Sequence, residues 1–125
     1  MEKLSEQTLA AIGRMTVAAT ELERVLARVG ADQAGGDAEA VFAQPGEPLR
    51  AARDSMRFAA PERRDTYGRF VESAATQLAI SQAALRAMWR GGRTDATLFD
   101  ETTTLLLGCH DALQDLVSAD LSDAR

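Results

Sequence analysis

Cysteine occurs once in this chain, as Cys109, so no disulfide can form within it. Histidine also occurs once, as His110. Adjacent residues on a helix point about 100° apart, and neither residue has an E-x-x-H or C-x-x-C companion, so no metal set is legible. A nucleophilic triad would have to draw its base from that one histidine. Aromatic residues make up only 5% of the chain. No apolar run approaches the ~18 residues of a membrane span, and no apolar leader opens the sequence. Acids outnumber basic residues, 19 to 14. The net charge is −5, which opposes a general coating of nucleic acid or of an anionic membrane. Gly35-Gly36 and Gly91-Gly92 lack the spacing and the preceding strand of a phosphate loop. The expectation is a soluble cytoplasmic protein with no metal and no cofactor.

What remains is a helical palette. The chain has 125 residues, 46% of them hydrophobic, and Ala and Leu dominate over β-branched residues. That length fits one domain, placed at 1–119, with 120–125 as a polar tail expected to fray. Ser5 is a plausible N-cap, with Leu4 and Leu9 in the two positions of a hydrophobic staple. The first helix is predicted to run to Val29, with Gly30 as its stop. Its apolar stripe is Ile12, Met15, Ala19, Leu22, Leu26 and Val29, and Arg14, Glu21 and Arg28 lie on another, solvated side. Asp37 can cap a short helical piece over 38–43, where Val41 and Phe42 are too apolar for a free linker. Pro48 suits the start of a second long segment, with Leu49, Ala52, Met56 and Ala59 inward.

Pro61 then opens a third helix reaching to about Arg90. Tyr67, Val71, Ala74, Leu78, Ser81, Leu85 and Met88 form its stripe. Thr97 and Asp100 have the spacing of a capping box for the last helix. That helix carries Phe99, Thr102, Leu106, Cys109, Leu113 and Leu116 inward. On this stripe Cys109 reads as a buried inert thiol, and His110 as structural or superficial. The predicted fold is an all-α, antiparallel (up-down-up-down) four-helix bundle with a short extra helical piece in its first loop.

Charge is uneven along the chain. Residues 48–69 hold six Arg against three acids, and residues 95–125 hold seven acids against Arg125. The simplest account sets the basic segment beside the acidic last helix, in the same chain or a partner copy. A dedicated anion patch at Arg50, Arg53 and Arg57, which share one helix face, is the sharper alternative.

One stretch has the spacing of a site: Ser81-Gln82-Ala83-Ala84-Leu85-Arg86-Ala87-Met88-Trp89. Together with the first-helix run Ile12-Gly13-Arg14-Met15-Thr16-Val17-Ala18-Ala19 and Glu21-Leu22-Glu23, it resembles the HEPN superfamily of small helical bundles. Many HEPN proteins are ribonucleases of toxin–antitoxin and defence systems, and their Arg-Asn-x-x-x-His motif cleaves RNA, usually at a homodimer interface. At the matching positions this chain has Ser81, Gln82 and Arg86. Ser81 has no guanidinium to hold a phosphate, and Arg86 stays charged, so it cannot serve as a general base near neutral pH.

The resemblance therefore implies a bundle without the chemistry. Equally, Gln82, Arg86 and Arg90 can be a solvated row on a helix whose core positions are Ser81 and Leu85. The expected function is that of a non-catalytic, homodimeric protein acting through protein–protein contacts, with a protein partner and without a membrane. The alternative is residual RNA or nucleotide binding at Gln82, Arg86, Trp89 and Arg90, where Trp89 could stack a base. A small-molecule site in the bundle core ranks last, because Ala-rich helices pack closely.

Overall fold

The structure, a computed structural model, describes residues 4–123, with side chains to residue 119. Among these residues every regular element is helical. They are α1 (Glu6–Ala34), α2 (Ala38–Phe42), α3 (Glu47–Ser55), a 3-10 turn (Met56–Phe58), α4 (Pro61–Trp89) and α5 (Ala96–Asp123). No helix among them is long and apolar enough to cross a membrane.

Local chemistry sets most of the boundaries. The Ser5 hydroxyl accepts from the Thr8 amide at 3.1 Å, and Asp37 caps α2 through the Glu39 amide at 3.0 Å. Pro48 and Pro61 sit in the first turns of α3 and α4, where a missing N–H costs nothing. Gly91, at φ 84°, ends α4, and the Gly92 amide closes back on the Ala87 carbonyl at 2.8 Å. Two boundaries differ from expectation. Helix α5 starts at Ala96, not with Thr97 as cap; Asp95 takes that place, its carboxylate held below the usual range by Arg93 and by the amides of Asp95 and Leu98. The tail expected at 120–125 is helical as far as Asp123, and residues 124 and 125 lie outside the described residues.

The other difference is Gly30. It does not stop α1, which continues to Ala34 and ends at Gly35. Gly30 is instead where α3 crosses. A Cβ there would stand 2.9 Å from the Ala51 Cβ and 3.0 Å from the Ala51 carbonyl carbon. A residue without a side chain lets two backbones meet, and the helix tolerates its propensity cost of about 1 kcal/mol.

Three long helices share one core. On α1 the buried residues Thr8, Ala11, Met15, Ala18, Leu22, Val25 and Val29 alternate gaps of three and four. On α4 the row is Tyr67, Val71, Ala74, Leu78, Ser81, Ala84 and Met88. On α5 it is Phe99, Thr102, Leu106, Leu113 and Val117. This is the heptad seam of left-handed packing. Relative to the expected stripes, Ile12, Ala19, Leu85, Cys109 and Leu116 are only half-buried, and Ala11, Ala18, Ala84 and Val117 take the inner positions.

The helix directions follow from side-chain pairs. Thr8 Oγ1 donates to the Thr94 carbonyl (2.8 Å), Arg14 Nε to Asp100 (3.1 Å) and Arg28 Nη1 to Gln114 (3.3 Å). Each pair is separated by 86 residues, so α1 and α5 run parallel and in register. Tyr67 Oη donates to the Leu116 carbonyl at 3.3 Å, which with the short 90–95 connection makes α4 antiparallel to α5. Val29 shares a cleft with Tyr67, and Met15 to Glu23 share one with Leu78 to Leu85, so α4 is antiparallel to α1 as well. An up-down-up-down bundle would set its first and last helices antiparallel. That expectation is corrected: three long helices run up, down and up, and α2, α3 and the 3-10 turn form a strap at one end. The second long segment is too short, at nine helical residues, to act as a fourth rod.

The strap divides α1 into two halves. Next to α3, α1 buries Val25, Leu26, Ala27, Val29, Gly30 and Ala31, nearly all round. Before Leu22 it buries a single stripe, and Gly13, Thr16, Val17 and Thr20 stay exposed. Replacing Gly30 by Val is expected to cost about 1–3 kcal/mol through overpacking against Ala51. Gly13→Ala, with nothing within 4 Å of the new Cβ, is expected to add about 0.5–1 kcal/mol from helix propensity. Urea unfolding of both variants checks the contrast. Opposite shifts of the midpoint are expected.

Candidate functional site

The face of α1 and α4 that α3 leaves uncovered is the candidate site. There Met15, Thr16, Ala19, Thr20 and Glu23 of α1 meet Leu78, Ser81, Gln82 and Leu85 of α4 around a shallow cleft of about 130 Å³. Arg86 and Trp89 carry this wall one turn further, at i+4 from Gln82 and Leu85. Trp89 is 67% exposed, and Leu9, one turn beyond Ile12 on the facing helix, is 53% exposed. A large exposed indole is costly surface for a chain on its own.

Within this face each motif residue has a definite place. Ser81 is buried, and its Oγ donates to the Leu78 carbonyl at 2.8 Å, so the hydroxyl is spent within the helix. Gln82, Arg86, Trp89 and Arg90 are all exposed. Among the described residues no carboxylate pairs with Arg86 or Arg90, whereas Arg14, Arg24, Arg50, Arg53 and Arg93 each have one. Arg90 caps α4, its amide donating to the Ala87 and Met88 carbonyls. Gln82, Arg86 and Trp89 therefore share a face, with Arg90 at its end.

Glu23, named in the sequence only as part of the first-helix run, joins the site. It is half-buried at the upper end of the cleft, and burial pushes its carboxyl above the usual range. No cation among the described residues pairs with it. Its signal in the sequence was slight: a carboxylate one residue from the core position Leu22.

The proposed anion patch is occupied from within. Arg50 is held by Glu47 and Asp54, and Arg53 makes two bonds to Glu72 at 2.8 and 2.7 Å. Arg57 lies 4.9 Å over the Phe58 ring. The three arginines do share an exposed face, but their carboxylate partners belong to α3 and α4. The expected pairing of this basic segment with α5 is not seen for Arg50 and Arg53; α5 instead meets α1 through Arg14 and Asp100.

The remaining polar chemistry is dispersed. His110 Nδ1 lies 3.0 Å from Asp111 on α5, outside the cleft. Burial raises the Cys109 thiol, which disfavours the reactive thiolate. No three of His, Cys, Asp and Glu converge among the described residues. A second groove of about 530 Å³ follows the α1–α5 seam, lined by Gly13, Val17, Ala18, Thr103 and Leu107 and rimmed by Arg14 and Glu21.

Compared with protein-family models, curated proteins and solved structures, the chain matches none.

Glu23 also fixes a pH prediction. A carboxyl whose folded pKa is raised contributes stability below its unfolded pKa and loses it as pH rises through the folded value. Glu23→Gln is therefore expected to raise the melting temperature of dilute protein at pH 7. The gain should fade as the pH falls to the ordinary carboxylate range, where wild type is protonated too. Glu72, lowered mainly by its hydrogen bond with Arg53, works the other way: its contribution is present at neutral pH and lost on acidification. That pair is exposed, so Glu72→Gln should cost under about 1 kcal/mol at pH 7. Thermal melts of both variants from pH 3 to pH 8 check the opposite signs.

Proposed function

We propose that this chain is a non-catalytic interaction protein that docks other protein chains on the uncovered α1–α4 face. The observation that carries the reading is the exposed Trp89, one helical turn along α4 from Leu85 in the wall of the cleft. Tryptophan and arginine are the side chains that most often anchor a protein interface. A protein partner covers the apolar wall and supplies an acid to Arg86. The resemblance to HEPN bundles fits a protein that keeps such a scaffold but lacks its acid–base residues. Ser81 has no free hydroxyl hydrogen and Arg86 no accessible neutral form, so neither moves a proton for a substrate. A cytoplasmic setting is part of this proposal.

The second reading is RNA or nucleotide binding on the same face. It draws on Arg86 and Arg90, which have no acidic partner among the described residues, and on a stacking platform at Trp89. The nearby Glu23 carboxylate and the net charge of −5 weigh against it.

A single set of variants separates the two. Tagged wild type, Trp89→Asp and Arg86→Ala are cross-linked in cell extract, and short RNAs are titrated against the same proteins. Circular dichroism confirms that each variant is folded. Specific protein cross-links are expected for wild type and should be lost in Trp89→Asp, with no RNA binding at 150 mM salt. Salt-dependent RNA binding that Arg86→Ala weakens, or cross-links indifferent to Trp89, would sink the protein-docking reading.

A further inference from the structure

Where α3 crosses α1 the helix carries Gly30, and the missing side chain lets the two backbones meet. Gly13 is a second glycine inside α1. It is exposed, and a Cβ there would meet nothing within 4 Å. Its propensity cost of about 1 kcal/mol is therefore offset by no contact within the described residues. Gly13 opens the trough of about 530 Å³ along the α1–α5 seam, with Val17 of α1 facing Thr103 and Leu107 of α5 over the buried Ala18. Val17 is 61% exposed and Leu107 42%. Two polar pairs span the seam and bound the trough, Arg14 with Asp100 at one end and Arg28 with Gln114 at the other. They stand about 21 Å apart along the helices, the length of about four helical turns.

The charge left without a counter-charge along this trough is acidic on balance. Arg14 is met by Asp100, Arg24 by Glu39 of α2 at 3.7 Å, and the half-buried Arg28 is turned to Gln114. Glu21, on the α1 wall, has no cationic partner among the described residues. Asp111, one turn beyond Leu107 on α5, meets only the imidazole of His110. Asp115 follows one turn later, exposed and with no partner among the described residues. An apolar trough thus has exposed carboxylates on both of its rims.

We propose that this trough is a docking site for an amphipathic α-helix of another protein, apolar along one stripe and carrying Lys or Arg on both flanks. The apolar stripe covers Val17 and Leu107, and the open backbone at Gly13 admits a close approach, as Gly30 does for α3. The basic flanks reach Glu21 on one rim and Asp111 and Asp115 on the other. The site lies on a different face from the α1–α4 cleft, and it holds whatever docks there.

The probe is a synthetic peptide of about 18 residues, long enough to form a helix, with Leu and Ala on one stripe and Lys on both flanks. A scrambled peptide of the same composition and a peptide with Glu in place of Lys serve as controls. Fluorescence anisotropy of each labelled peptide is titrated with the full chain at about 0.15 M salt. The Lys-flanked peptide is expected to bind about tenfold more tightly than either control. Val17→Asp and Leu107→Asp, one on each wall and both at exposed positions, are each expected to weaken it by about tenfold or more. Glu21→Gln and Asp111→Asn are each expected to weaken it by about two- to fivefold and to flatten its salt dependence. In the double variant Glu21→Lys, Asp111→Lys the preference is expected to turn to the Glu-flanked peptide. Circular dichroism and thermal melts confirm each fold.

A Lys-flanked peptide that does not bind overturns the proposal. So does a scrambled peptide that binds within about threefold of it, since attraction to the net charge would then suffice. Binding that survives both wall variants overturns it too; if Trp89→Asp removes that binding, the α1–α4 face is the site instead. Sedimentation equilibrium tests the other occupant. A wild-type dimer that Val17→Asp and Leu107→Asp both dissociate shows a second copy in the trough, and also overturns the proposal.

Discussion

The parallel register of α1 and α5 governs the rest of the architecture. Thr8 reaches Thr94, Arg14 reaches Asp100 and Arg28 reaches Gln114, so a single offset holds from Thr8 to Arg28, over about five helical turns. Two parallel helices in one chain need a long return between them, and α4 supplies it, antiparallel to both. Their three heptad seams then close on one another around Met15, Leu22, Leu106 and Phe99, all almost fully buried. Apolar burial provides the main stabilisation. The polar pairs at the flanks set the register, since a slip of one turn would unmake them together. Exposed pairs of this kind contribute little energy individually, but they discriminate between alignments of similar apolar content.

From that register follows the position of the open face. With three rods filling the core, the segment between α1 and α4 only has to lead back from the top of one to the top of the other. It does so by folding over the upper half: Phe42 packs under the Arg24 guanidinium, Ala51 meets Gly30, and Arg53 ties α3 to Glu72. Below it no described residue covers this face of α1 and α4. The residues singled out by motif spacing, Gln82, Arg86 and Trp89, fall on this uncovered part. Their exposure is a result of the topology of the strap.

Much of the helical framework was legible in the sequence. Ser5, Asp37, Pro48, Pro61 and Gly91 mark helix ends through local backbone chemistry, which does not depend on neighbours far along the chain. The α4 stripe from Tyr67 to Met88 was nearly correct because gaps of four and three define one face of any helix. Gly30 was misread as a stop for the same reason in reverse. A glycine that ends a helix and one that admits a crossing helix look alike until the second helix is in place. The stripes of α1 and α5 were misjudged by one residue at Ile12, Ala19, Cys109 and Leu116. These apolar side chains sit at the edge of the seam, and only the angle of the neighbouring helix decides which edge is covered.

The sequence by itself determined that the chain is helical, where most of its helices begin, that its core is aliphatic, and that Arg86 cannot act as a base. Those properties reside in residue types and in contacts within about one helical turn. Only the tertiary structure decided that the first and last helices are parallel, that Arg50 and Arg53 are neutralised by nearby acids, and that Glu23 and Arg86 have no charged partner among the described residues. Each of these depends on which residues, tens of positions apart, are brought together. Helical periodicity repeats every few residues and carries no information about direction or partner, so packing alone settles them.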